Sequence, residues 1–275
     1  PTKTEQSDLL QAVVGRNGEA PVPVVAVKSP GDAFDAAIEA CRIALAYRTP
    51  VMLLSDGYTA NSAEPWRIPD VDGLPDLSAA FAFATERNDA DRFLPYLRDP
   101  GTLARPWAVP GTPGLEHRLG GLEKAPDTGA ISYDGANHHA QTVLRHERIT
   151  RIGAQLPPLA VDDPTGDADV LVVGWGSTDG PIRAAVHTLR GSGRRVAHVQ
   201  LTHLAPIHPD LEDVMRRHRV VICPENNMGQ LALLLRARTL IDVKAYDRVT
   251  GAPFLSSELV DVIERLGGDA LEGER

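Results

Sequence analysis

The sequence predicts an α/β fold, with part of one α/β domain at residues 1–160, carrying an irregular arm, and a doubly wound domain at 165–275. Three observations predict it. Short apolar runs recur at 22–27, 51–54, 170–173, 196–201, 220–223 and 240–243, continuous rather than alternating, as in parallel strands covered on both faces. Between them lie stretches with apolar residues at helical spacing. A proline- and aspartate-rich linker, Leu-Pro-Pro-Leu-Ala from 156 and Asp-Asp-Pro-Thr-Gly-Asp from 162, separates the two regions.

Element by element, the chain opens on a polar loop that runs into a helix at 9–14, with Thr4 or Ser7 as its cap. The strand at 22–27 tolerates Pro23 near its start. Phe34, Ile38, Cys41 and Leu45 recur on one helix face and predict a helix over 32–47, stopped by Thr49-Pro50 before the strand at 51–54. From 58 to about 136 the periodicity fails, and Pro, Gly and Asp dominate. Trp66, Trp107, Phe81, Phe83, Phe93 and Tyr96 are poor residues for a free linker, so the segment reads as an arm wrapped over a domain or subunit contact, a loose loop being the alternative. A helix follows at 136–151.

After the linker, the strand at 170–173 leads through a Gly-Trp-Gly-Ser-Thr-Asp-Gly loop at 174–180 into a helix with Pro181 at its first position and Ile182, Ala185, Val186 and Leu189 on one face. Then come a strand at 196–201, a helix at 209–217, a strand at 220–223, a helix at about 227–237, a strand at 240–243 and a helix at about 256–266. Four strand–helix alternations in roughly 110 residues make a small doubly wound domain.

Composition narrows the function. An apolar content of 43% is that of a globular protein, and aromatics at 5% leave the core to Ala, Val, Leu and Ile. The formal charge of −9 argues against nucleic-acid or anionic-membrane binding, and no apolar run is long enough to span a bilayer. Cys41 and Cys223 have no zinc or iron–sulfur spacing and read as buried free thiols in a reducing cytoplasm. No resident metal site is expected, and no complete catalytic constellation is present. Nucleophile-elbow, HExxH and Walker motifs are all missing.

Four motifs remain. Gly174, Gly176 and Gly180 mimic a dinucleotide turn, but the spacing is Gly-x-Gly-x-x-x-Gly and Trp175 stands where a pyrophosphate would approach. A tight strand-to-helix turn, with Ser177 and spare amides facing a neighbouring domain, fits better. Pro-Glu-Asn-Asn-Met-Gly-Gln-Leu at 224–231 puts Glu225 and Asn227 beyond a strand's carboxyl end, as a capping and interdomain cluster or as direct chemistry. Glu116 and His117 are adjacent. Consecutive side chains point apart, so a contact role outweighs paired acid–base work. His138 and His139 read as surface residues.

Taken in order, these strings resemble one family. Pro-Thr-Lys-Thr-Glu-Gln-Ser-Asp-Leu at 1–9, Pro-Val-Met-Leu-Leu-Ser-Asp-Gly at 50–57, Gly-Leu-Glu-His at 114–117, residues 169–181 and residues 224–231 resemble the α subunit of the 2-oxoacid:ferredoxin oxidoreductases, most of all those acting on 2-oxoglutarate. The resemblance implies a partial pyrimidine-binding-type domain of thiamine diphosphate enzymes, then a domain similar to the transketolase C-terminal domain. It implies oxidative decarboxylation of a 2-oxoacid to an acyl-CoA, with coenzyme A as cosubstrate and electrons passed to ferredoxin. Thiamine diphosphate and magnesium are then expected at the interface with a β subunit that carries the iron–sulfur cluster, in a dimer of heterodimers. Thr2, Lys3 and Thr4 are expected to line the 2-oxoacid pocket, and Glu225, Asn227, Gly174, Gly176, Ser177, Glu116 and His117 to serve interdomain or subunit contacts. The family's ring-binding glutamate and substrate arginine precede the position of Pro1, so the chain is expected to be the later portion of a longer subunit that is not self-sufficient in catalysis.

Overall fold

The computed structural model describes residues 3–80 and 82–272. Its centre is a four-stranded, all-parallel sheet in the order β6-β5-β8-β9, formed by β5 (Val170–Trp175), β6 (Val196–Leu201), β8 (Val220–Glu225) and β9 (Val243–Asp247). Because successive side chains alternate faces, Leu171 and Val173 enter one apolar cluster while Val170 and Val172 enter another. On the second face α5 (Asp179–Gly191) and α8 (Ser256–Gly267) pack through Ile182, Val186, Leu189, Leu259 and Ile263. On the first lie α6 (Leu211–Arg216) and α7 (Gln230–Thr239), through Met215, Leu231 and Leu235. Many of these side chains are fully buried, each contributing about 1.5–3 kcal/mol relative to exposure.

A smaller sheet lies beside it in the order β2-β1-β7, formed by β1 (Val24–Ala26), β2 (Met52–Leu54) and β7 (His203–Ala205). β1 and β2 pair in parallel, while β7 pairs antiparallel to β1. Val24 and Ala26 share the apolar cluster of the central sheet, together with Leu9 and Ala12 of α1 (Leu9–Val14). The opposite face, Val25 and Val27, is covered by α2 (Ala33–Tyr47) and α4 (Gly135–Gly153) through Ile43, Tyr47, Ile149 and Ile152.

Between α3 (Gly57–Asn61) and α4 the chain is a largely irregular arm. It holds two short 3-10 turns, Val71–Gly73 and Leu77–Ala80, and a minimal parallel pair, β3 (Phe83–Ala84) with β4 (Trp107–Ala108). Phe93, Leu103 and Leu115 are buried in it, whereas Ile68, Val71, Leu119, Leu122 and Tyr133 are exposed.

Several boundaries differ from expectation for identifiable reasons. α1 is capped by neither Thr4 nor Ser7; the Leu10 amide in its first turn donates instead to Gln230 Oε1 at 2.9 Å. α3 was not anticipated, and Asp56 builds it by accepting from the amides of Tyr58 and Thr59. β5 runs on through Gly174 and Trp175, and β8 through Pro224 and Glu225. Pro224 lies beyond the last residue that β8 pairs with β5, where a missing N–H is tolerated. α7 starts at Gln230 rather than 227 because Asn227 turns back as a cap, its Oδ1 accepting from the Gln230 amide at 3.0 Å. The last strand begins at Val243, since Leu240 is the left-handed C-cap of α7. Cys41 is exposed, and only Cys223 is buried. No helix among the described residues is long and apolar enough to cross a membrane.

Candidate functional site

In the central sheet the chain moves from β5 outward to β6, then back past β5 to β8 and on to β9. The direction reverses between β5 and β8, and open α/β sheets bind ligands in the crevice beyond the carboxyl ends of such a pair. Trp175 ends β5 with Gly176 just after it, and Glu225 ends β8, so the two glycine-containing motifs of the sequence meet there.

The crevice is filled by the chain itself. Gln6 Nε2 donates to the Trp175 carbonyl at 2.7 Å, and Gln6 Oε1 accepts from the Asn226 amide at 2.8 Å. The Gln6 amide donates to the Asn226 carbonyl at 2.9 Å, and Asn227 Nδ2 donates to the Gln6 carbonyl at 3.0 Å. From the other side Asp56 Oδ2 accepts from the Ser177 amide at 2.8 Å. Gly176 has φ of 56°, and a Cβ there would stand 2.8 Å from Gln6 Nε2 and 2.9 Å from Asp56 Oδ2. A Cβ on Gly174 would meet Ile182 Cδ1 at 2.5 Å. These glycines therefore admit protein side chains, where the dinucleotide pattern would use them to admit a pyrophosphate.

Glu225 lies at the bottom of the cluster and is fully buried. Its carboxylate accepts from Trp175 Nε1 (3.1 Å), Asn227 Nδ2 (3.0 Å), and the amides of Leu231 (2.8 Å) and Ala232 (3.0 Å). The last two are orphan donors in the first turn of α7, where the helix dipole favours negative charge. Burial pushes the carboxyl upward from its ordinary value, and the four donors oppose that rise. The arrangement caps a helix and ties two strand ends together.

In front of this cluster lies a cavity of about 340 Å³, lined by Lys3, Glu5, Gln6, Leu54, Asp56 and Trp175 among others. Lys3 lies over Gly251, which a Cβ would bring within 3.3 Å of its side chain. Thr4 is buried, and its backbone pairs with Gly251. Thr2 lies outside the described residues. Glu116 and His117 belong to the arm: Glu116 Oε1 accepts from the Gly114 amide at 3.2 Å, and the His117 ring lies 5.0 Å from that of Phe93. The Glu116 carboxyl is held below its ordinary value by hydrogen bonds from its own amide and from Gly114. His138 is exposed and paired with Glu123 at 2.7 Å. No group of three His, Cys, Asp or Glu suited to a metal occurs among the described residues.

Sequence reasoning missed Gln6, Asp56, Trp175 and Gln230 as members of the cluster. Gln6 and Asp56 stood inside quoted strings at 1–9 and 50–57, but nothing local says that a glutamine will cross to a residue 220 positions away.

Known proteins support the same architecture. The family described as "Pyruvate flavodoxin/ferredoxin oxidoreductase, thiamine diP-bdg" matches residues 1–131. The 2-oxoglutarate oxidoreductase subunit KorA of Mycobacterium tuberculosis is 52% identical over 259 residues, which cover 94% of this chain and 39% of that protein. Over 94% of its length this chain is thus similar to subunits of the 2-oxoacid:ferredoxin oxidoreductases. Subunit alpha of the 2-oxoacid:ferredoxin oxidoreductase 2 of Aeropyrum pernix is 29% identical, covering 97% of this chain and 41% of its own. The solved 2-oxoglutarate:ferredoxin oxidoreductase from Magnetococcus marinus, with 2-oxoglutarate, coenzyme A and succinyl-CoA bound, superposes with a TM-score of 0.79 at 29% identity, covering 96% of this chain and 46% of that one. The chain thus spans about two fifths of the length of the curated relatives named here.

Proposed function

We propose that this chain forms part of the α subunit of a 2-oxoglutarate:ferredoxin oxidoreductase, in which a 2-oxoacid is oxidatively decarboxylated to its acyl-CoA and electrons pass to ferredoxin. The observation that carries the reading is 52% identity to a 2-oxoglutarate oxidoreductase subunit over 94% of the chain. Within it, residues 1–160 form the later part of a pyrimidine-binding-type domain and 165–275 a transketolase C-terminal-like domain. Thiamine diphosphate and magnesium sit at the interface with a β subunit that holds the iron–sulfur cluster, in a dimer of heterodimers in the cytoplasm. Lys3, on the cavity wall, faces the 2-oxoacid, and Thr4 holds that segment against Gly251.

The described residues do not by themselves fit the cofactor's ring. Asp56 and Glu225, the buried carboxylates at this seam, each engage backbone or side-chain N–H groups, so neither is free to meet a ring nitrogen. No chemical step is assigned to them, and the thiamine carries the decarboxylation chemistry when bound.

Self-filling of the switch-point crevice favours a second reading, a non-catalytic assembly module of such a complex. The test is co-expression with a candidate β subunit and with a chain supplying the remaining α-subunit sequence of a relative, followed by dye reduction with coenzyme A and either 2-oxoglutarate or pyruvate. Turnover of 2-oxoglutarate supports the first reading, turnover of pyruvate alone makes the complex a pyruvate-specific relative, and stable assembly with no turnover supports the module.

A further inference from the structure

Where the arm meets α4 and the end of α2, five arginines surround a concavity of about 400 Å³: Arg48, Arg98, Arg105, Arg145 and Arg148, joined by Lys124. α4 supplies Arg145 and Arg148, which with Gln141 follow the i, i+4, i+7 spacing of one helix face. Arg48 is the left-handed C-cap of α2, and its guanidinium lies 5.1 Å from the centre of the Trp107 ring. Arg98 donates to the Leu103 carbonyl at 3.0 Å and to Gln141 Oε1 at 3.1 Å. Arg105 lies 4.5 Å over the Tyr96 ring. These contacts hold the guanidinium planes in place without neutralising them.

Counter-charge is scarce. Among the described residues only Arg145 of the five has a carboxylate at ion-pair distance, Glu123 at 3.4 Å, and Glu123 is shared with His138. Asp99 also faces Arg48, but its Oδ1 accepts from the amides of Gly101 and Thr102. The Nε atoms of Arg48 and Arg148 are buried with no hydrogen-bond partner. Burial, then the neighbouring Arg98, Arg105 and Arg145, pushes Arg148 down to about 10, and burial likewise lowers Arg48 and Arg98. In a chain of net charge −9, such crowding of one sign in a concave, partly buried site marks a place built for an anion.

We propose that this concavity binds a phosphoryl anion, as a pyrophosphate or a phosphate ester, through Arg98, Arg105, Arg145 and Arg148. Guanidinium forks match tetrahedral oxyanions with paired N–H donors. Six cationic side chains facing Glu123 leave more positive charge than one further carboxylate would neutralise. The site is independent of the oxidoreductase reading, because none of these residues lies at the strand ends of the crevice.

The test is isothermal titration of the 275-residue chain at fixed ionic strength with sodium pyrophosphate, sodium phosphate and poly-glutamate as an acidic-segment mimic. Saturable binding of pyrophosphate is expected, weakened at least tenfold in Arg148→Gln and Arg98→Gln and unchanged in Arg183→Gln, an exposed site on α5. Phosphate binding as tightly as pyrophosphate points to a monoester, and tighter pyrophosphate binding to a diphosphate; either supports the site. Arg105→Gln removes no side-chain hydrogen bond and reads the pocket if Arg148→Gln does not fold. Absence of saturable binding, equal binding by the pocket variants, or preference for poly-glutamate over pyrophosphate would each overturn the proposal.

Discussion

The central sheet and the arm are held together by different physics. Around β5 every side chain from Val170 to Trp175 is buried, and apolar clusters close both faces. In the arm, order comes from aspartates and asparagines that accept backbone amides, such as Asp70, Asp99 and Asn88, and from arginines stacked on rings. Trp66 meets Phe34 at 5.5 Å and is still 48% exposed. The sheet is thus stabilised chiefly by removing apolar area from water, the arm by local polar closure, and the two should respond differently to loss of a side chain.

The largest expected effect is in the sheet. Leu171→Ala removes a fully buried side chain at the centre of β5 and should lower unfolding free energy by about 2–5 kcal/mol, read as the urea midpoint. Trp66→Ala in the arm should lower it by only about 0.5–1.5 kcal/mol, the range for an aromatic pair. A loss at Trp66 as large as that at Leu171 would break the contrast and make the arm part of the same core.

The smallest effect lies outside both regions, where α2 meets β7 of the smaller sheet. Glu39 on α2 is bonded to Arg42 and, at 3.0 Å, to His203 of β7. Burial pushes its carboxyl up, but the bonds from Arg42 and His203 outweigh it and bring the pKa from 4.5 down to about 2. A carboxyl lowered in the folded state contributes stability that is present above about 4.5 and lost as pH falls through 2. Wild type should therefore exceed Glu39→Gln in urea midpoint at pH 6, by a modest margin because the group is a quarter exposed, and the two curves should converge only below the folded pKa of about 2. A gap that persists there would locate the contribution of Glu39 in packing.

Much of this was legible in the sequence where local pattern decides structure. The strands at 170–173, 196–201 and 220–223 and the helix from Ala33 to Tyr47 follow from apolar runs and helical spacing, since a two-face-covered sheet needs both. β7 was not legible: His203, Leu204 and Ala205 form too short a run, and their order comes from pairing with β1 far upstream. The strings around Gly174 and Glu225 were visible as motifs, but their meeting with Gln6 arises only once the sheet brings β5 and β8 side by side. The arginine pocket was invisible for the same reason, as Arg48, Arg98 and Arg148 are scattered over a hundred residues.

The short strand β7 constrains any attempt to divide the molecule. It leaves the central sheet after β6 and supplies one flank of β1. Severing the chain at the proline-rich connector would strip that flank away, leaving β1 with naked peptide groups and Val24 uncovered. A shortened version ending near residue 160 would invite strand-to-strand association between copies, so a workable dissection must carry 203–205 along with the first sheet.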